Sequence, residues 1–109
     1  MSRTISPTDL QQLMADRKNI LLLDVRRRND YEADAQKLSG AAWLDPEKLV
    51  QWSTALPLDR EIVIYCVRGG TVSNSVVDQL QSKGIKARFI EGGIEAWKNA
   101  GGQTVAKGK

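Results

Sequence analysis

The chain has no histidine, and its 109 residues include a single cysteine, Cys66. Without imidazole, Ser-His-Asp and Cys-His catalysis in cis are excluded, and so are the usual zinc sites, which draw on histidine or on several thiolates. No metal or cofactor is expected. One cysteine cannot form an internal disulfide, so the fold owes nothing to oxidation and a reducing compartment is expected. No apolar run is long enough to span a bilayer, and Met1 to Ile5 leads into Ser6-Pro7-Thr8-Asp9 instead of an apolar signal core. The expected location is the cytoplasm, with no membrane partner.

Excess charge is also scarce. Sixteen basic and thirteen acidic residues leave a net charge of +3, too mild and too dispersed for a nucleic-acid surface but compatible with a small anionic substrate. There is no internal repeat and no low-complexity segment. The length fits one compact domain with its own core, expected over residues 1–104, with 105–109 as a flexible tail.

Along the chain, strand and helix signals alternate. Ser6-Pro7-Thr8-Asp9 is a helix start, with Ser6 as N-cap, Pro7 in the first helical position and an acid in the first turn. Leu10, Leu13 and Met14 share one face of a helix that should stop near Asn19. Ile20-Leu21-Leu22-Leu23 is continuously apolar, the pattern of a strand covered on both faces in a parallel sheet. After Asp24-Val25-Arg26, a polar stretch through Arg28, Asp30 and Glu32, anchored by Tyr31, suggests a short helix. The spacing of Arg26 and Asp30 allows an ion pair that fixes this segment.

Ser39 to Leu44 suggests a turn and short strand, and Asp45-Pro46-Glu47 repeats the cap-and-proline start for a helix carrying Leu49, Val50 and Trp52. Ile62 to Tyr65 is a strand. Val72, Val76, Val77 and Leu80 fall at helical spacing, and Gly84 sits where a left-handed C-terminal cap belongs. Ala87 to Ile90 is a further strand, Glu91-Gly92-Gly93 turns the chain, and Ile94 and Trp97 mark a last helix closed by Gly101-Gly102. The three tryptophans are expected in the core or in pocket walls. This alternation implies an α/β layered domain with a mostly parallel central sheet. Ligands in such folds bind at the carboxyl ends of the strands, where Asp24, Cys66 and Glu91 all fall.

The stretch Ile62 to Ser73 carries the chemistry. A strand ends at Cys66, the chain passes through Gly69 and Gly70, and a helix begins. N–H groups at a helix start have no internal partner, and the helix dipole there favours negative charge. The arrangement can surround a sulfur anion, the form in which cysteine is a nucleophile. A buried structural thiol is the alternative reading.

Asp24-Val25-Arg26 followed by Asp30-Tyr31, Gly40-Ala41, the strand and loop around Cys66, and Glu91-Gly92-Gly93-Ile94-Glu95-Ala96-Trp97 together resemble the rhodanese family, specifically its single-domain sulfurtransferases. The resemblance covers nearly the whole chain. It implies a five-stranded parallel sheet with helices on both faces and a cysteine that carries sulfur as a persulfide. Cys66 would be nucleophile and carrier, taking sulfane sulfur from thiosulfate or a persulfide and passing it to cyanide, a thiol or a protein. The N–H groups from Val67 through Gly69, Gly70, Thr71 and Val72 to Ser73 would stabilise the anion. Arg68, the cation within the loop, is assigned to the anionic part of the donor, with Arg26 or Arg27 as helpers and Asp24, Arg26 and Asp30 in supporting roles.

The pattern departs from the family in three places. Thr71 stands where a basic residue often ends the loop, and no histidine precedes Gly40-Ala41, where Lys37 and Leu38 stand. Judged from the helical pattern, the loop runs from Cys66 to Val72, one residue longer than the common six. That is the loop length of phosphatases and arsenate reductases of the same fold, which carry an arginine six positions after the cysteine. Val72 holds that position here, so phosphoryl chemistry would lack its bidentate clamp. A carrier or redox-sensing module without efficient turnover is the second functional reading; with no second cysteine, either version needs an external acceptor.

Overall fold

A computed structural model describes residues 3–16 and 19–107. Five parallel strands form the central sheet: β1 (Thr4–Ile5), β2 (Ile20–Asp24), β4 (Ala42–Trp43), β5 (Glu61–Tyr65) and β6 (Ala87–Ile90), in the order β1-β6-β5-β2-β4. Every pairing in this sheet is parallel. The helices are α1 (Pro7–Ala15), α2 (Arg28–Ala33), α3 (Leu49–Ser53), α4 (Thr71–Ser82) and α5 (Gly93–Asn99), with a 3-10 turn at Pro46–Lys48 leading into α3.

The strand pleat divides the core in two. Along β5, Ile62 and Ile64 face a cluster that includes Val76, Val77 and Leu80 of α4 and Leu49 of α3. Val63 and Tyr65 face the opposite cluster with Leu10 of α1 and Ile94 and Trp97 of α5. Leu22 and Leu23 of β2 split the same way. A strand buried on both faces cannot alternate apolar with polar, which is why the sequence runs unbroken there. Val63 and Ile64 are fully buried, and burial of each such side chain contributes roughly 1.5–3 kcal/mol.

The caps follow the chemistry of their residues. Ser6 Oγ accepts the Asp9 N–H at 3.1 Å, with Pro7 opening α1. Asp45 Oδ1 accepts the Glu47 N–H at 3.0 Å. Gly84 follows α4 with φ +80°. These satisfy helix-end groups that would otherwise lack partners.

Four expectations are corrected. α1 ends at Ala15, before Asn19, and Val50 is 72% exposed, off the apolar face expected of it. α4 begins at Thr71 with Gly70 as its N-cap, and the Asn74 N–H donates to Gly70 O at 3.1 Å. The loop therefore has the six-residue span from Cys66 to Thr71, because a helix's first turn needs no apolar residue and periodicity begins one position late. Finally, the tail assigned from 105 onward is structured through Lys107: β7 (Thr104–Ala106) pairs antiparallel with β3 (Gln36–Leu38), and the Lys107 N–H donates to Ala35 O at 2.9 Å. Gly108 and Lys109 lie outside the described residues. Among the described residues, no helix is long and apolar enough to cross a membrane.

Candidate active site

Cys66 follows directly on β5, at the carboxyl end of the sheet, and is 6% exposed. Its Sγ accepts a hydrogen bond of 2.9 Å from Ser73 Oγ, a fully buried hydroxyl in the first turn of α4. Among the described residues, none of the N–H groups from Val67 through Ser73 donates to another residue. The loop thus leaves a run of N–H groups without an acceptor in the residues directly after the cysteine, the kind of donors a turn can offer to an anion. What the sequence did not reveal is the hydroxyl: Ser73 stood in the expected site for its N–H, whereas its Oγ is what touches the thiol.

The loop carbonyls are held on the other side. The Ile94 N–H donates to Cys66 O at 3.0 Å and the Glu95 N–H to Val67 O at 3.2 Å, so the free N–H groups of one helix start anchor the loop of another. The approach requires glycine. Gly93 has φ +64°, and a Cβ there would lie 2.4 Å from Cys66 O and 2.5 Å from Val67 C. Gly69 has φ +69°, and a Cβ there would stand 2.9 Å from Gly92 N. Gly92-Gly93 therefore does more than turn the chain, the role its sequence context suggests.

Above the sulfur lies a hollow of about 400 Å³ lined by Arg27, Asp30, Cys66, Val67, Arg68, Gly70, Thr71 and Val72. All the loop positions singled out from sequence except Gly69 and Ser73 line it. Gly69 packs behind the loop and Ser73 beneath it. Arg68 reaches the hollow, but its Nε also donates to Glu95 Oε2 at 3.2 Å, and its side chain is 80% exposed. Arg27 is exposed and has no ion-pair partner among the described residues.

Arg26 does not help in the hollow, and it does not pair with Asp30. Its guanidinium is 1% exposed and grips Asp24 through Nε–Oδ1 at 3.0 Å and Nη2–Oδ2 at 2.7 Å, then reaches Asp34 Oδ2 at 3.0 Å and Gln36 O at 3.0 Å. Burial works against its charge, but the hydrogen bonds and charge of Asp24 prevail and hold its pKa above the ordinary value. The side chain also lies over the rings of Tyr31 and Tyr65. Spacing along a helix suggested Asp30, but Arg26 lies before α2, so its fork turns inward to the strand-end carboxylate. Its carbonyl accepts the Trp43 Nε1–H at 2.8 Å, and Trp43 stacks on Tyr31 at 4.7 Å. This network braces the floor under β2 and β5 while Asp30, freed from it, lines the hollow.

Burial, and then the charge of Asp24, push the Tyr65 phenol above its ordinary pKa, and its oxygen accepts the Leu38 N–H at 3.2 Å. Tyr65 is thus a neutral structural residue directly before the cysteine.

A strand-end thiol under a loop of free N–H groups, backed by a second helix start, defines a site for a sulfur-centred or oxyanionic group. The chain matches the family model described as Rhodanese-like domain over residues 6–100 and belongs to that family. It is 32% identical over 108 residues to a protein named sulfurtransferase from Allochromatium vinosum, covering 97% of each chain. It is 35% identical over 78 residues to a tRNA sulfurtransferase from Desulfurococcus amylolyticus, matching 72% of this chain but only 15% of that larger protein. A crystal structure of a rhodanese-related protein from Thermoplasma volcanium superposes with a TM-score of 0.84 at 24% identity, covering 97% of this chain and all of that one. That last likeness concerns the fold.

Proposed function

We propose that the protein is a sulfurtransferase in which Cys66 takes sulfane sulfur from thiosulfate or a persulfide, carries it as a persulfide and hands it to cyanide, a thiol or a protein. The observation that carries this reading is the Cys66 thiol set beneath a loop whose N–H groups from Val67 to Ser73 have no other acceptor among the described residues. The thiolate attacks the outer sulfur of the donor; a new S–S bond forms at Sγ as the donor's S–S bond breaks, and sulfite or a thiolate leaves with the electron pair. In the second half the acceptor attacks the outer sulfur and Cys66 leaves as thiolate. Splitting the transfer in two is the advantage of covalent catalysis. The free donors favour the charge on sulfur at both stages.

The proposed setting is the cytoplasm, with a small donor anion and a thiol, cyanide or protein acceptor as partners. The six-residue loop removes the length argument for a phosphatase or arsenate reductase, and Val72 supplies no guanidinium. Steady thiocyanate formation from thiosulfate and cyanide tests turnover. A single stoichiometric burst without turnover would instead favour the carrier or sensor module.

A further inference from the structure

A loop that receives an anion on its N–H groups must be held by other means, because an ordinary N-cap side chain would take one of those groups for itself. α4 has Gly70 at its N-cap, which makes no side-chain capping bond, and a glycine is conformationally loose unless something restrains it. The restraint falls on the carbonyls instead. Cys66 O and Val67 O accept the Ile94 and Glu95 N–H groups. Gly70 O accepts two bonds of 3.1 Å, both from Asn74: one from its backbone N–H and one from its side-chain Nδ2. Together they use both lone pairs of that oxygen.

Asn74 is held in turn. Arg3, directly before β1, donates from Nη2 to Asn74 Oδ1 at 2.9 Å and to Asn74 O at 3.3 Å, while its Nη1 pairs with Asp78. Arg3 O accepts the Phe89 N–H at 3.0 Å, which ties this arginine to β6. A guanidinium only donates, so its contact sets Oδ1 on the Arg3 side of the Asn74 amide and Nδ2 on the Gly70 side. Consecutive hydrogen bonds thus run from the sheet through Arg3 and Asn74 to the end of the reactive loop.

We propose that Asn74, braced by Arg3, is a positioning residue that aims the Thr71 N–H into the hollow above Cys66. The inference rests on the reading of that loop as an anion cradle. The Gly70 carbonyl and the Thr71 N–H belong to one planar trans peptide and point in opposite directions. Holding the oxygen at Asn74 therefore fixes the direction of the N–H, and Gly70 and Thr71 both line the hollow. Asn74 acts through the peptide plane alone and consumes none of the loop's own N–H groups. A donor already aimed needs no reorganisation when charge arrives on sulfur.

Asn74→Ala, Arg3→Ala and the double variant are compared with the wild type by three readings: the pH midpoint of Cys66 alkylation with iodoacetamide, the second-order rate of sulfur loading from thiosulfate, and urea unfolding. Arg27, Asp30 and Arg68, the charged side chains lining the hollow, are unchanged throughout. Asn74 is exposed and its backbone bond to Gly70 O survives the substitution, so the effect is modest. Asn74→Ala is expected to raise the alkylation midpoint by about half a pH unit and to slow loading about threefold. Arg3→Ala should move both in the same direction, and should add nothing in the Asn74→Ala background. An unmoved midpoint in Asn74→Ala, with or without a loss of urea stability, overturns the positioning role. An Arg3→Ala effect that persists without Asn74 overturns the brace. A wild type that alkylates but takes up no sulfur overturns sulfur transfer, and the alkylation midpoint still decides the role of Asn74.

Discussion

Gly93 lies so close to the backbone of Cys66 that a methyl group on its α-carbon would stand 2.4 Å from the Cys66 carbonyl oxygen. The start of α5 is thereby wedged against the reactive loop, and the Ile94 N–H holds that same carbonyl at 3.0 Å. Gly93→Ala is expected to force the two apart and to strain a left-handed residue, costing roughly 1–3 kcal/mol. Urea unfolding checks the stability. Sulfur uptake by Cys66 should fall further than the loss of folded protein explains, because the displaced segment carries the cysteine.

Ser73→Ala removes the one side-chain hydrogen bond to the sulfur among the described residues. Loss of a bond worth about 1.4 kcal/mol predicts a roughly tenfold slower sulfur uptake, read by stopped-flow loading, with little change in the urea midpoint. A normal rate would mean that the backbone donors suffice.

Asp24→Asn leaves the buried Arg26 guanidinium without its bidentate partner and is expected to destabilise the fold by about 3–5 kcal/mol. Replacing both residues by apolar side chains should recover part of that loss, since no unpaired charge then stays buried. Urea unfolding of the two singles and the double closes the cycle. Additive losses would contradict the pairing.

Asp34 provides a pH signature. Burial pulls its pKa upward, but the Gln36 N–H, then Lys98 and then Arg26 outweigh burial and hold it below the ordinary 3.8. A carboxylate with a depressed folded pKa contributes stability that is present above the ordinary value and lost as pH falls through the folded one. The stability gap between wild type and Asp34→Asn should therefore be full at neutral pH and close below 3.8. A gap that stayed constant down that range would show that the charge of Asp34 is not what stabilises.

Much of this was legible in the residues because buried parallel strands and capped helices leave strong local marks. The unbroken Ile20 to Leu23, the Ser6-Pro7 and Asp45-Pro46 starts and Gly84 each signal their element through one physical constraint. The two-residue β1 is too short to carry a period, and β3 and β7 pair only with each other across most of the chain, so neither signals itself locally. At the site, Cys66 and its glycines stood out by composition and position. The partners of the arginines did not: Arg26 turns to Asp24 and Asp34, and Arg68 to Glu95, through contacts that depend on how loops cross in space. Gly93's closeness to Cys66 joins two distant segments and is equally invisible to spacing. Its trace in sequence is the adjacent glycine pair after a strand.

The central claim is that Cys66 carries transferable sulfur, and intact mass after incubation with thiosulfate or with glutathione persulfide tests it most directly. The account predicts a gain of one sulfur atom on the wild type, absent from Cys66→Ser and removed by cyanide. No gain with either donor, or a gain that persists in Cys66→Ser, would contradict it.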